Sequence, residues 1–319
     1  MAVLFLALAG CFTGRGGRDS AVIKPILAPA GAAEGHVEIR RLGDLANRAI
    51  TESSGIAFSR RSRNLLWTEN DSGDAPRLYA FDGKGRNVAT VEVRGASAYD
   101  WEDMSAASLR GTPYLVIADV GDNDRIRPSC SIYLLEEPAL PFSSQAQTAT
   151  STVSRVINFT YDDGPQNCEA VGIDPESETI YLVSKHRISD TKVYTLAIPF
   201  DGQTNAVVAR TVATLPDVHE VTGFDISADN DRAVVLTYDD AFEYTRRSGE
   251  SWATAFEGTP RRLPMPWRAQ GEAICYGPDG RALYLTSENA PSPLWEVRVV
   301  NGPRATQVAT NGGSTTGSL

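Results

Sequence analysis

Short runs of alternating apolar and polar residues, almost without helical periodicity, fill the chain between residues 36 and 300. Five segments align with one another. In each, a short apolar strand is followed by a polar turn and a second strand, as in EAVGIDPESETIYLVS. Runs rich in β-branched and aromatic residues, bounded by turn residues, are typical of antiparallel strands. The segments begin at intervals of 48, 67, 53 and 50 residues, at Ser54, Glu102, Glu169, Thr222 and Glu272.

Further strands complete each unit: a third, such as RLYAFD or KVYTLAI, and a fourth, such as VATVEV or ARTVATL. Four strands per unit, repeated about every 50 residues, predict an all-β fold, a β-propeller with five blades. Six blades remain the alternative, because the interval of 67 residues has room for extra strands. The last unit ends after three strands. We expect the strand at residues 36–42, which precedes the first unit, to close the ring as the missing fourth strand.

The two ends of the chain differ in composition from the repeats. Residues 1–10 contain a short apolar run typical of a signal peptide, and their junction with Cys11, LAGC, resembles a bacterial lipobox, whose cysteine carries the lipid. Residues 11–35, rich in Gly, Ala, Pro and Arg, are predicted to be a flexible linker, and residues 301–319 a disordered tail. We therefore expect a propeller at residues 36–300 that is exported and anchored to the bacterial cell envelope as a lipoprotein.

The net charge bears on the kind of partner that the protein binds, and the cysteine spacing bears on metal sites and disulfides. The 319 residues have a net charge of −10 and a pI of about 4.9. Nucleic-acid binding, which needs clustered Lys and Arg, is therefore not expected. We expect a monomer that contacts the membrane only through its lipid anchor and binds a small molecule or a protein. Cys130, Cys168 and Cys275 lack metal-site spacing, which leaves buried free thiols or one disulfide as the alternatives.

The residue that opens each segment is polar and stands two positions before the first apolar residue of the inner strand. Innermost strands of a propeller line a central channel, so equal offsets place these residues in one ring at its mouth. Carboxylates about 5 Å apart, at an effective dielectric of about 20, repel by roughly 3 kcal/mol per pair. A bound cation, raised pKa values, an inserted Arg or Lys, or backbone N–H groups would offset this repulsion. The ring comprises Ser54, Glu102, Glu169, Thr222 and Glu272.

Among these possibilities we predict an axial Ca²⁺ ion bound by the ring. The five candidate ligands are all oxygen donors, with no His or Cys in register, which argues against zinc. A wide ring with room for water molecules suits Ca²⁺ better than the tight octahedron of Mg²⁺.

Polar residues in the loops after the second strands are predicted to surround the same channel mouth. Lys185 and His186 are candidates for binding a phosphate beside the ion, and Asp119 or Glu69 for taking a proton. The alternative is that these are solvated loop charges, and that DVGDNDRIR at 119–127 is a turn capped by its own Asp and Asn side chains. The candidate ligand-binding residues are Asn70, Asp71, Asp122, Asn123, Arg125, Arg187, Asp239, Glu288 and Asn289.

The strings that open the five segments resemble the blade-entry motifs of SdiA-regulated bacterial propellers and of phytase-like exported propellers: ESSGIAF, DWEDMSA, NCEAVGI, VTGFDIS and QGEAICY. This resemblance spans residues 50–298 and implies the fold and export more than an activity. The order hydroxyl, Glu, Glu, hydroxyl, Glu is also similar to the axial calcium ligands of five-bladed, calcium-dependent nucleotidases of the apyrase type. Thr222 replaces a serine of that pattern, and the wider apyrase sequence is not evident, so nucleotide hydrolysis is not implied.

Two functional hypotheses follow. The first is a ligand- or partner-binding module with a structural axial Ca²⁺ ion. The second is a calcium-dependent, phosphoesterase-like hydrolase that uses the same polar face. We favour the first, because the sequence shows no complete catalytic constellation: G-x-S-x-G is absent, as are glycine-rich phosphate loops before helices. The fold alone does not decide between them.

Overall fold

A computed structural model describes residues 29–141, 143–200 and 207–300. The predicted signal peptide at 1–10, Cys11 and the predicted tail at 301–319 lie outside the described residues. In the described part of the chain, no helix is long and apolar enough to cross a membrane. The elements, in chain order, are β1 (Ala33–Glu34), β2 (His36–Asp44), β3 (Ser53–Phe58), β4 (Leu65–Asn70), β5 (Arg77–Asp82), β6 (Asn87–Arg94), β7 (Trp101–Leu109), β8 (Thr112–Asp119), β9 (Cys130–Glu136), β10 (Gln147–Thr152), β11 (Arg155–Tyr161), β12 (Cys168–Asp174), β13 (Thr179–Ser184), β14 (Thr191–Ala197), β15 (Val207–Leu215), β16 (Val221–Ile226), β17 (Arg232–Thr237), β18 (Asp240–Thr245), α1 (Trp252–Phe256), β19 (Arg261–Pro264), β20 (Ala273–Tyr276), β21 (Ala282–Thr286) and β22 (Pro293–Val300).

Consecutive strands pair in antiparallel order to form four-stranded units, with the first strand of each unit innermost. The strands β3 to β6 form one unit, β16 to β19 form another, and β20 to β22 are completed by β2. The largest sheet has eight strands and holds two units, β7-β8-β9-β11 and β12-β13-β14-β15. These two units join through their outer strands, because β11 and β15 pair in parallel from Phe159 and Val207 to Tyr161 and Ala209.

The innermost strands contact one another in a closed cycle: β3 with β7, β7 with β12, β12 with β16, β16 with β20, and β20 with β3. The fold is therefore all-β and propeller-like, with its sheets arranged around a central axis. The predicted closing strand is confirmed, since β2 pairs antiparallel with β22 from His36 and Val300 to Asp44 and Pro293. The long interval between the second and third segments holds β10, which pairs in parallel with β6 at the outer edge of the first unit.

The strand β1 lies in the segment predicted to be a flexible linker. Ala33 and Glu34 pair in parallel with Arg261 and Arg262 of β19, so the last residues of segment 11–35 belong to a sheet edge instead of a free tether.

Apolar clusters fill the space between successive units. The cluster between the first two units contains Trp67, which is fully buried, and Trp101, which is 1% exposed. Their indole N–H groups donate to Glu137 Oε1 at 3.0 Å and to the Ser97 carbonyl at 2.8 Å. Both tryptophans are therefore packing residues, because a ligand cannot reach their ring faces. The helix α1 packs Trp252 and Phe256 onto the cluster between the units of β12–β15 and β16–β19. Cys130, Cys168 and Cys275 are buried free thiols.

Buried carboxylates link innermost strands that belong to different units. Asp103, on β7, is fully buried and accepts hydrogen bonds from the backbone N–H groups of Met104 and Val171, both at 2.8 Å. The N–H of Phe224, on β16, lies 3.4 Å from the same carboxylate. Asp225 repeats the arrangement between β16 and β20, since it accepts from the N–H of Tyr276 at 2.8 Å. These side chains satisfy N–H groups that the sheets leave unpaired along the axis.

We expect Asp103→Ala to lower the free energy of unfolding by about 2 to 4 kcal/mol, because it leaves buried backbone N–H groups without an acceptor. Urea denaturation followed by tryptophan fluorescence would measure the loss. Asp231→Ala, at an exposed aspartate, is the matched control and should stay within about 0.5 kcal/mol of wild type. An Asp103→Ala protein as stable as this control would show that these bonds do not hold the inner strands together.

Candidate functional site

A cavity of about 740 Å³ opens on the face where the inner strands begin. It contains most of the charged residues predicted to surround the channel mouth, so the structure brings together acids from the ring and bases from the loops. The predicted site residues that line it are Asp71, Glu102, Asn123, Arg125, Glu169, Lys185, Arg187, Glu272 and Glu288. The lining residues that were not among the candidate site residues are Asn167, Ile188, Ser189, Glu220, Tyr238 and Gln270.

The three glutamates of the predicted ring line this cavity, whereas its two hydroxyl residues do not. Ser54 Oγ donates to the carbonyl of Glu102 at 2.7 Å, and Thr222 Oγ1 donates to the carbonyl of Gly271 at 2.9 Å. Each hydroxyl thus joins its own inner strand to the chain of the next unit. Equal sequence offsets place the three carboxylates at the same cavity. The two hydroxyl groups instead form hydrogen bonds that join neighbouring units.

Lys185 inserts its ammonium group among the ring carboxylates. Its Nζ atom lies 3.0 Å from Glu169 Oε2 and 2.9 Å from the hydroxyl of Tyr238. The other oxygen of Glu169 accepts from Asn167 Nδ2 at 2.8 Å. The repulsion between the ring carboxylates is thus offset at Glu169 by an inserted lysine, which is one of the possibilities considered from the sequence.

Glu102 faces other acids instead of a base. Carboxylate oxygens of Asp71, Asp100 and Glu102 lie within 4.8 Å of one another. Burial, and then the charge of Glu169, raises the pKa of Glu102 well above its usual range. Burial, and then the charge of Asp71, raises the pKa of Asp100 to about 6. A Cβ atom at Gly121 would contact oxygens of Glu102 and Asp100, so these two carboxylates pack closely over the backbone of Gly121.

Glu272 is the ring member with an unsatisfied oxygen. Its Oε2 atom is buried without a hydrogen-bond partner, and the side chain is 3% exposed. Burial raises its pKa to about 7; the charge of Lys185 opposes this shift and that of Glu169 adds to it. Glu288, at the same cavity, has its pKa raised to about 7, chiefly by burial and then by Asp71. The mouth of the channel therefore holds carboxylates whose ionised forms lack sufficient stabilisation.

Arginine residues form the basic side of the cavity. A guanidinium nitrogen of Arg125 lies 2.6 Å from Nδ1 of His186. Arg187 is 86% exposed, and its nearest acid is Glu220 at 3.9 Å. His186 is buried beneath this corner and does not line the cavity. Burial and the neighbouring Arg125 lower the pKa of His186, so its imidazole is neutral and accepts the hydrogen bond from Arg125.

Several predicted site residues shape the loops instead of facing the cavity. Asp119 pairs with Arg127 at 2.8 Å, and Asp122 accepts from the N–H groups of Ile126 and Arg127 at 2.9 and 2.8 Å. The stretch at 119–127 is therefore largely a capped turn, although Asn123 and Arg125 within it line the cavity. Asn70 caps the N–H groups of Thr51 and Glu52 at 3.0 and 3.1 Å.

The remaining predicted residues also lie away from the cavity lining. Asn289 donates to Gln270 Oε1 at 2.8 Å, and Asp239 is an exposed loop residue. Glu69 is fully buried, and neither of its oxygens has a hydrogen-bond partner. Of the four catalytic candidates, Lys185 is thus the one that lines the cavity.

Backbone strain is concentrated in the loops around the cavity. Arg125, Glu220 and Gln270 line it, and their φ angles are 54°, 53° and 53°. Non-glycine residues seldom adopt this left-handed conformation, which persists where surrounding contacts impose it. The loops are therefore held in one particular shape around the mouth.

Asp100 is among the acids that sequence reasoning missed. It lies two residues before Glu102 within the string DWEDMSA, but on the loop ahead of β7. Its position close to a ring glutamate in the sequence could have indicated that it lies at the channel mouth. The repeat alignment did not use this position, although two other segments have an acid at the same offset, Glu52 before Ser54 and Glu220 before Thr222.

Comparisons with known proteins do not identify a family for this chain. No protein-family model matches it, and no curated protein matches it. Among solved structures, a chain of the "Crystal Structure of Mitotic Checkpoint Complex" is similar at a TM-score of 0.39 and 12% identity, over 78% of this chain and 62% of that chain. Likeness at this level supports no argument about ligand or partner. The resemblance to SdiA-regulated and phytase-like propellers remains a prediction.

The buried carboxyl group of Glu69 provides a test of the electrostatics beneath the cavity. Burial, with a smaller contribution from Asp71, raises its pKa from 4.5 to about 8. Between these two values the folded protein holds a proton that the unfolded chain has released, so stability falls as the pH rises. We expect Glu69→Gln to raise the free energy of unfolding by roughly 2 to 4 kcal/mol at pH 8 and to change it little at pH 4.5.

Urea denaturation at both pH values would measure this difference. Glu38→Gln, at an exposed glutamate of β2, is the control and should show no such dependence on pH. A Glu69→Gln protein that is no more stable than wild type at pH 8 would contradict the assignment of a neutral, buried carboxylic acid at this position.

Proposed function

We propose that the chain is a five-bladed propeller that binds a divalent cation, most suitably Ca²⁺, at the carboxylates of its channel mouth and presents the adjoining cavity to a ligand or partner. Glu102, Glu169 and Glu272 would hold the ion. The observation that supports this most is Glu272 Oε2, a buried carboxylate oxygen without a partner in a cavity shared with two other buried glutamates. The donors are hard oxygen atoms, which calcium prefers over other common ligands.

The state of the neighbouring acids supports the same proposal. The pKa values of Glu102, Asp100, Glu272 and Glu288 are all raised, with burial as the largest cause. A divalent cation supplies a charge that stabilises their ionised forms, and its binding would be accompanied by proton release. Ser54 and Thr222, predicted as further ligands, each donate their hydroxyl proton to a backbone carbonyl group. A cation would therefore be bound through the lone pairs of their hydroxyl oxygens.

A binding module agrees better with this geometry than an enzyme. The cavity volume of about 740 Å³ lies within the range of about 300 to 1,000 Å³ that small-molecule sites occupy. An ion and its water molecules would fill only part of it. The candidates for taking a proton, Asp119 and Glu69, are an ion-paired turn residue and a fully buried acid, and neither lines the cavity.

A calcium-dependent phosphoesterase is the second candidate. The presence of Arg125, Lys185 and Arg187 in the same cavity as the carboxylates favours it, because a phosphate between the basic side and a bound cation would be polarised by both. This candidate requires a proton acceptor that the predicted residues do not supply.

We further propose that the protein is exported and lipid-anchored. The support is in the sequence, where an apolar run ends in Leu8, Ala9, Gly10 and Cys11. Anchoring would hold the cavity near the envelope surface.

Calcium titration tests the cation site directly. Ca²⁺ at about 100 times its dissociation constant should raise the free energy of unfolding by about 2.7 kcal/mol, because it binds the folded state alone. Isothermal titration calorimetry and thermal melting would measure affinity and stabilisation. We expect Glu272→Gln and Glu169→Gln each to weaken Ca²⁺ binding at least about tenfold, which is about 1.4 kcal/mol.

Glu38→Gln is the control for this titration and should bind Ca²⁺ as wild type does. The absence of Ca²⁺ binding by the folded wild-type protein would refute the proposal. The same samples can be assayed for phosphate release from a phosphomonoester. Turnover that requires Ca²⁺ and stops with EDTA would establish the hydrolase in place of the binding module.

Lipid attachment is tested by labelling in a bacterium that expresses the full chain. We expect incorporation of radiolabelled palmitate and recovery of the protein in the membrane fraction. Cys11→Ser should remove the label, because the thiol that accepts the lipid is lost. Labelling that persists in Cys11→Ser, or wild-type protein without label, would exclude anchoring at this cysteine.

A further inference from the structure

The ammonium group of Lys185 lies where the cation of the proposed site would be expected. Its Nζ atom contacts Glu169 Oε2 at 3.0 Å and the hydroxyl of Tyr238 at 2.9 Å, and it lies 5.0 Å from the centre of the Tyr238 ring. The charge of Glu272 also stabilises this ammonium. The side chain is 19% exposed, so water screens these interactions only in part. Lys185 thus acts as a counter-ion for the acidic mouth.

The backbone of Lys185 is anchored, while its side chain borders open space. Its N–H donates to the carbonyl of Asn167 at 2.8 Å, which fixes the residue just after β13. Its side chain lines the cavity, and the following residues Arg187 and Ile188 are exposed. A lysine has a flexible stem of four methylene groups and a compact charge. A change of side-chain rotamer, without movement of the loop, can therefore take the ammonium away from Glu169 and into the cavity.

The contacts of Glu169 make Lys185 a competitor for any bound ion. One oxygen of Glu169 accepts from Lys185 and the other from Asn167. A divalent ion that uses Glu169 meets an ammonium already seated against that carboxylate, and the two positive charges repel. Resting on the proposed cation site, we propose that Lys185 is a tethered counter-ion that a divalent cation must displace, so that this one residue sets the affinity of the site and its preference for divalent over monovalent ions.

The preference for divalent ions follows from the change in net charge when an ion replaces the ammonium group of Lys185. Replacing the ammonium by Na⁺ or K⁺ leaves the net charge at the carboxylates unchanged, and the tether keeps the ammonium at a high local concentration. Replacing it by Ca²⁺ or another divalent ion adds one positive charge among three buried glutamates. The released ammonium then faces the cavity, which Arg125 and Arg187 also line.

Lys185→Met tests this proposal, because it keeps the length of the stem and removes the charge. Lys84→Met, at an exposed lysine in the turn between β5 and β6, removes one charge elsewhere and is the matched control. We expect Lys185→Met to melt at a lower temperature than wild type without metal and to bind Ca²⁺ at least about tenfold more tightly by titration calorimetry. It should also respond to Na⁺ or K⁺ at concentrations that leave wild type unaffected.

The outcomes separate this proposal from the function on which it rests. If both proteins bind Ca²⁺ with equal affinity, or if Lys185→Met binds it more weakly, the cation site stands and the competing role of Lys185 is refuted. If neither protein binds Ca²⁺, the proposed function itself fails, and the proposal fails with it. If Lys185→Met does not fold without metal, Lys185→Gln, which can still donate hydrogen bonds to Glu169 and Tyr238, replaces it in the same comparison.

Chemical labelling gives a direct reading of the displacement in the wild-type protein. Reductive methylation, quantified at each lysine by mass spectrometry, should modify Lys185 slowly without metal and at least about fivefold faster at saturating Ca²⁺, because the freed amine becomes accessible. Lys84 should react at the same rate in both conditions. An unchanged rate at Lys185 under conditions where Ca²⁺ binding is confirmed would show that the ion does not displace it.

Discussion

The central constraint on this protein is that several carboxylates are buried around the axis of a ring of inner strands, and each must be compensated there. Neighbouring inner strands belong to different sheet units, so ladders of backbone hydrogen bonds do not connect them. Apolar clusters and bonds from side chain to backbone connect them instead. Asp103 and Asp225 accept hydrogen bonds from backbone N–H groups of neighbouring inner strands, and so hold these strands together.

At the mouth of the channel, the buried carboxylates are not fully compensated, because the backbone there supplies too few N–H groups. Glu102 faces Asp71 and Asp100, and Glu272 keeps a buried oxygen without a partner. Glu169 is satisfied by Lys185 and Asn167. The excess of negative charge at one end of the axis, enclosed by loops of fixed and partly strained shape, is the physical basis of an affinity for cations.

The repeat pattern predicted the strands of each unit, the closure by β2 and the meeting of the three glutamates, because each depends on alternation and on equal spacing along the chain. It did not predict β1 or β10, which pair in parallel at the outer edges of sheets, where no alignment of repeats applies. In the loops, ligand residues and capping residues have the same chemistry. Asp122 and Asn70 therefore could not be told apart from Asp71 and Asn123 before the backbone was in place.

The sequence by itself predicted that acids from three separate units line one cavity, because strand alternation and the register of the repeat are local properties of the chain. The tertiary structure alone decided what accompanies them. Lys185 lies at the start of a loop, and alternation does not encode the path of a loop or the direction of a long side chain. The course of the chain after β13 places its ammonium 3.0 Å from Glu169 within one unit, and the neighbouring unit supplies the hydroxyl of Tyr238 at 2.9 Å, while Glu272 keeps an oxygen without a partner.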